Sequence, residues 1–234
     1  MPPAQRLAIA QVTPFAWEVA NEVNTYVARV SAELAQRGHQ VLIIAPSHSP
    51  ALVRDSRRRL RSQGEQLLAD GDGGAHVLGV GEVLPFSPAR RRAASLPIDV
   101  ARTIEEALGT LPLDVVNVHE PFAPSASSSA LRHSRALNVG SFHAPTERIL
   151  STQLTAPLSR LLFARLDART ASFTATRNLL QRFFPGEYEV ITPGADPPAV
   201  RPANAVPELA LVALEERAAL RTFLRALRAL PHDL

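Results

Sequence analysis

Short, near-continuous apolar runs alternate along the chain with longer stretches in which apolar residues recur every three or four positions. That rhythm marks strand–helix units of a parallel sheet, whose strands are covered on both faces. Residues 7–12 (LAIAQV) read as a first strand. In 22–37, Val23, Tyr26, Val27, Val30 and Leu34 fall on one helical face, and Gly38 is placed to cap the helix. Residues 40–45 (QVLIIA) form the second strand, stopped by Pro46.

The stretch 46–75 is rich in Ser, Pro, Gly, Asp and Arg, and predicts a charged surface helix within 52–69 and a loop over 70–74. A short strand follows at 76–80. Residues 81–96, with Pro85 and Pro88, read as an excursion at the rim of the sheet. Clean alternation then returns, with helices expected at 97–109, 124–134, 156–168 and 177–184 and strands at 114–118, 137–142, 171–175 and 188–192. The pattern predicts an α/β fold, a doubly wound parallel sheet of Rossmann-like type over 1–192. Five prolines make 193–207 a linker. Beyond it, a strand at 209–214 and an amphipathic helix at 216–230 make 208–234 the first βα unit of a second domain, with the remainder expected beyond Leu234.

Composition changes this picture little. The 234 residues include no cysteine, which removes disulfides and thiolate metal ligands, and no segment has the apolar length of a transmembrane helix. All 25 basic residues are arginine, yet the net charge is only +3. The clusters Arg57-Arg58-Arg59 with Arg61, and Arg90-Arg91-Arg92, read as solvated faces or as anchors for an anionic membrane or polyanion. No aromatics interleave with them, which argues against nucleic acid.

In an open parallel sheet, ligands bind beyond the carboxyl ends of the strands, near the topological switch point. That rule selects Thr13, Pro14 and Phe15 through Asn24 after the first strand, His119 through Pro121 after the fourth, His143 through Thr146 after the fifth, and Pro193 through Asp196 after the last. The two histidines are the polar residues that stand out. Each is also explained as a strand-end histidine satisfied by backbone, but together, with Glu120 beside them, they favour a site facing the crevice near the start of the first helix. Two histidines and one glutamate lack any standard zinc spacing, so no metal is expected. No G-x-S-x-G elbow is present. The first loop, TPFAWEVANEV, contains no glycine, so a dinucleotide fingerprint is absent and no cofactor is assigned.

Four segments in order carry a resemblance: QVTPF with AELAQRGHQVLIIAP, then DVVNVHEPFAPS, VGSFHAPTE and EVITPGAD. The chain resembles the N-terminal, acceptor-side domain of GT-B glycosyltransferases, in the retaining family that includes the bacterial phosphatidylinositol mannosyltransferases. The resemblance implies transfer of a hexose, mannose among the candidates, from a nucleotide-sugar to a lipid or small-molecule acceptor. It also implies a cytoplasmic protein in peripheral contact with anionic membrane at the inner face of the plasma membrane. His143 falls where the family contacts the transferred sugar, and is the catalytic candidate. His119, Glu120, Phe15, Asn24 and Thr146 are the sugar- or acceptor-binding candidates, and Gly194 and Asp196 match the interdomain turn. Two departures favour an alternative, a non-catalytic GT-B-like protein that binds a ligand or partner. The family's Gly-Gly in the first loop aligns with Asn21-Glu22. The G-R-x-x-x-x-K-G phosphate clamp is replaced around Ala213, Leu214 and Glu215. The 234-residue chain alone is expected to be inactive.

Overall fold

The computed structural model describes residues 6–68, 74–82, 98–122, 125–143, 156–194, 223–225 and 227–229. The excursion over 83–96, the linker beyond Gly194 and the strand expected at 209–214 lie outside them. The chain divides into two compact units, Met1–Pro193 and Gly194–Leu234. In the second, 223–225 and 227–229 are helical, as the leucine spacing predicts.

The first unit alternates strictly. Its elements are β1 (Ala8–Val12), α1 (Glu22–Gln36), β2 (Gln40–Ser47), α2 (Pro50–Gln63), a 3-10 turn (Gly64–Leu68), β3 (His76–Glu82) and α3 (Ile98–Thr110). There follow β4 (Val115–His119), α4 (Ala126–His133), β5 (Leu137–Phe142), α5 (Ala156–Phe163), β6 (Ala168–Ala171), α6 (Thr174–Phe183) and β7 (Glu189–Val190). All seven strands pair in parallel in the order β3-β2-β1-β4-β5-β6-β7. This is a Rossmann-like α/β sheet with helices on both faces, and the strand order reverses between β1 and β4.

The two faces differ in chemistry. Alternation sends Ala8, Ala10, Val12, Leu42, Ile44, Val116, Val118 and Phe142 to one side, where α2 through α6 cover them in a continuous core. Toward β5–β7 this core becomes aromatic, with Phe142 edge-on to Phe163 at 5.4 Å and Phe163 against Phe184 at 4.8 Å. On the opposite face, α1 packs Val23 and Val27 on Ile43 and Val77. That face becomes polar over β4 to β6, where Asn117, Ser141 and Thr170 project. Two aspartates close the amino edge. Asp114 accepts from the Ala8 amide at 2.8 Å, and Asp167 from the Asn138 amide at 2.7 Å.

The sixth strand departs from the sequence expectation. It occupies Ala168–Ala171 rather than 171–175, so α5 stops at Phe163 and α6 begins at Thr174. The segment ARTA hides its strand character behind Arg169. This guanidinium is tolerated because it donates to the carbonyls of Phe163 (3.0 Å) and Pro185 (3.2 Å) and lies over the Tyr188 ring. The charged helix expected at 52–69 starts at Pro50, behind the Ser49 cap, and tightens into the 3-10 turn after Gln63.

β3 carries an extra residue against β2, since Ala45 pairs with Gly79 but Ser47 with Glu82. Gly81 supplies the required backbone at φ +131°, and a Cβ there would be driven into the Val100 side chain. Backbone strain and overpacking act together, so Gly81→Ala is expected to cost about 2–4 kcal/mol. Urea unfolding would read this as a lower midpoint at unchanged slope. A loss under about 0.5 kcal/mol, the range of ordinary surface substitutions, would show that the bulge relaxes freely.

Candidate functional site

The switch point puts the end of β4 between β1 and β5, and His119 is the last residue of that strand. It is wholly enclosed, at 0% exposure, so both ring nitrogens must find partners inside the protein. Its Nε2 lies 2.8 Å from Gln11 Oε1 on β1, and its Nδ1 lies 2.8 Å from His143 Nε2, just past β5. His143 Nδ1 in turn lies 3.0 Å from Ser172 Oγ, just past β6. The chain Gln11–His119–His143–Ser172 therefore spans four strands along the carboxyl edge. A second row, Asn117–Ser141–Thr170, runs beneath it and joins it at Gln11, whose Oε1 accepts from Asn117 Nδ2 at 3.0 Å.

Tyr26 of α1 closes the pair from above, its ring centroid 4.8 Å from His143 and 6.0 Å from His119. Glu120 fixes the pair from the side. Its Oε1 accepts from the His143 amide at 2.6 Å, and its own backbone sits at φ +46°, the left-handed region. No other described residue except glycine has positive φ, and such local strain collects at functional sites.

The structure brings His119, Glu120 and His143 together beside α1. It also shows that His119 cannot face the crevice directly, since His143 and Tyr26 lie over it. Asn24 serves differently from the binding role expected of it. It is buried, its Nδ2 donates to the carbonyls of Ala16 and Val19, and its Oδ1 accepts from Thr13 Oγ1 at 2.7 Å. These bonds brace the first loop from within. Phe15 packs against the α1 cluster. Thr146 and Asp196 lie outside the described residues, and Gly194 is exposed. Sequence reasoning missed Gln11, Tyr26 and Ser172. The signal for Gln11 was a lone amide inside the apolar run LAIAQV, and for Ser172 its place directly after a strand.

Asn21 is the N-cap of α1, its Oδ1 accepting from the Asn24 amide at 2.9 Å, and Glu22 stands exposed in the first turn. A capping side chain and an acidic first turn satisfy the free amides and positive end of a helix. Asn21 thus meets one of the free amides, that of Asn24, and Glu22 offsets the positive end of the helix. Glu18 ties the same loop to the end of β2, accepting from Ser47 Oγ and from the His48 amide. Burial raises its carboxyl, but these hydrogen bonds outweigh that and hold it below the usual value.

On α2, Arg54, Arg57, Arg58 and Arg61 line an open cleft of about 530 Å³. Arg58 pairs with Asp55, and Arg61 with Glu106 of α3 at 3.4 Å. Arg90 to Arg92 lie outside the described residues. Among the described residues no helix is long and apolar enough to cross a membrane, and no cluster of ligands could hold a metal.

Burial pushes His119 well below the usual histidine value, helped by His143, and burial lowers His143 to about 4. Both rings are neutral at pH 7. The unfolded chain takes up these protons near pH 6.5 while the folded chain resists them, so stability falls as pH drops below about 6.5. The slope is about 1.4 kcal/mol per pH unit for each such histidine, continuing down to about pH 4 for His143. Replacing both by Gln should flatten the dependence between pH 6.5 and 5 relative to the parent, by about 2–4 kcal/mol over that interval. Urea unfolding at a series of pH values checks this, and parallel curves for parent and variant would show that the rings are not held neutral by the fold.

Comparison with known proteins accords with the geometry. The Glycosyltransferase Family 4 model matches residues 23–198. A phosphatidyl-myo-inositol mannosyltransferase of Mycolicibacterium smegmatis is 24% identical over 167 residues, covering 70% of this chain and 38% of that protein. Those of Mycobacterium tuberculosis H37Rv and Mycobacterium leprae are 25% and 23% identical over the same length, each covering 70% of this chain and 39% of the relative. The matched region therefore spans about two fifths of these relatives. A model that fits 23–198 of a 234-residue chain, over a parallel sheet with its polar chemistry gathered at the carboxyl edge, places this protein in Glycosyltransferase Family 4.

Proposed function

We propose that the intact protein is a hexosyltransferase that moves a sugar, with mannose the leading candidate, from a nucleotide-sugar to a lipid or small-molecule acceptor with retention of configuration. The observation that carries this reading is His143, held by Glu120 and His119 at the switch point of a family domain whose relatives are mannosyltransferases. In this reading His143 positions the transferred sugar, and Glu120 fixes the backbone that aims it. The leaving diphosphate would be stabilised by donors of a second domain. The relatives' names point to phosphatidyl-myo-inositol as the acceptor. The arginine face of α2 suits peripheral contact with anionic lipid, each arginine near such a surface contributing about 1 kcal/mol.

A second reading, a non-catalytic ligand- or partner-binding protein, is favoured by the first turn of α1. Asn21 already caps it and Glu22 adds a negative charge where the donor phosphates would close. Because Glu22 is exposed, its repulsion of a phosphate at about 4 Å is on the order of 1–2 kcal/mol, well short of a buried pair.

Titration calorimetry of the intact protein against a panel of nucleotide-sugars, followed by a transfer assay, separates the two readings. Micromolar binding of one donor with transfer to phosphatidyl-myo-inositol supports the first, and binding to none supports the second. If the first holds, Asn21→Gly with Glu22→Gly should tighten donor binding about ten-fold. His143→Ala should lower kcat about a hundred-fold or more, with a smaller change in donor affinity. Unchanged kcat in that variant would remove His143 from the chemistry.

A further inference from the structure

Two rows of hydrogen-bonding side chains cross the polar face of the sheet, and both converge on one atom. Gln11 Oε1 lies 2.8 Å from His119 Nε2 and 3.0 Å from Asn117 Nδ2. A carbonyl oxygen carries two lone pairs and accepts from both, which requires that the proton of His119 sit on Nε2. His119 Nδ1 is then an acceptor, so the proton between the two rings belongs to His143 Nε2. His143 Nδ1 is in turn an acceptor, met by the Ser172 hydroxyl at 3.0 Å. In the second row, Asn117 Oδ1 accepts from Ser141 Oγ at 2.8 Å, which leaves the Asn117 amide nitrogen facing Gln11.

We propose that Gln11 is a positioning residue that sets the direction of hydrogen bonding through His119 and His143, so that His143 offers an acceptor nitrogen, Nδ1, to Ser172 and to a ligand hydroxyl that displaces it. The group selected is a hydrogen-bond donor, with the Ser172 hydroxyl as the example in place. Phosphate oxygens, which only accept when ionised, would face a lone pair. Ser172 Oγ occupies the place of that hydroxyl, and its side chain must turn before a ligand can bind. That the hydroxyl belongs to a sugar rests on the transferase reading above, whereas the direction of the bonds does not.

Reversal would need the Gln11 and Asn117 amides to turn together and would place protons on Nδ1 of both rings. The two directions are distinguished by long-range proton–nitrogen correlation of the nitrogen-labelled chain at pH 7.5, with no sugar present. Both rings are expected to carry the proton on Nε2 in a ratio of about ten to one or more, and the shared proton to reside on His143 Nε2. Gln11→Met removes the acceptor and leaves the His119 N–H without a partner, so both rings should invert to the Nδ1–H form. Gln11→Glu keeps an acceptor and should retain the parental form, and Ser172→Ala should leave it unchanged. Nδ1 protons in the parent, parental rings in Gln11→Met, or inversion in Ser172→Ala would each overturn the proposal. Should Gln11→Met fail to fold, the parent and Ser172→Ala spectra still decide. Absence of sugar transfer in the assay above would leave these spectra as they are, so the two ideas fail separately.

Discussion

Seven strands running in one direction present all their carboxyl ends at a single edge, and the remaining features of this domain follow from that constraint. Backbone pairing runs on past the strand ends, from the Thr13 amide to Ile44 and from the Ser172 amide to Phe142, and it brings the side chains at that edge side by side. Gln11, His119, His143 and Ser172 come from four strands and lie within hydrogen-bond reach of one another because the strands are about 4.8 Å apart. Asp114 and Asp167 do the matching work at the opposite edge, accepting from neighbouring strand amides. One face of the sheet is largely apolar, with Asn138 in register with Val116 and Arg169 with Gly140 among its polar residues. The other can stay polar beyond the reach of α1.

Most of the architecture was legible because buried parallel strands announce themselves as apolar runs, as in LAIAQV and QVLIIA. The sixth strand was misplaced because Arg169 breaks such a run, and its acceptors at Phe163 and Pro185 are remote in sequence or hidden in a turn. The site divides in the same way. His119 and His143 could be found from their positions after strands. Their coupling to Gln11 could not, since it depends on β1 and β4 being neighbours, a pairing across 108 residues. Asn24 was legible only as a polar residue near the crevice; its bonds to Ala16 and Val19 depend on a loop path that residue spacing does not reveal.

The first turn of α1 and the histidine pair pull in different directions as indicators of chemistry. Asn21 and Glu22 make the helix start self-sufficient, lowering the advantage of an incoming anion. The histidine pair is held neutral by enclosure and is suited to neutral polar groups. Under the transfer reading proposed above, a sugar hydroxyl would meet this domain and the diphosphate the other.

Glu120 records what has been weighed against stability. Its left-handed backbone would suit glycine, and a side chain there costs on the order of 1 kcal/mol. The carboxylate accepts from the His143 amide, a charge-assisted bond that offsets the strain and fixes where His143 begins. A library screened for heat resistance should therefore keep an acceptor at this position and resist drift to glycine, because the charge-assisted bond to a backbone amide outweighs the cost of the left-handed backbone.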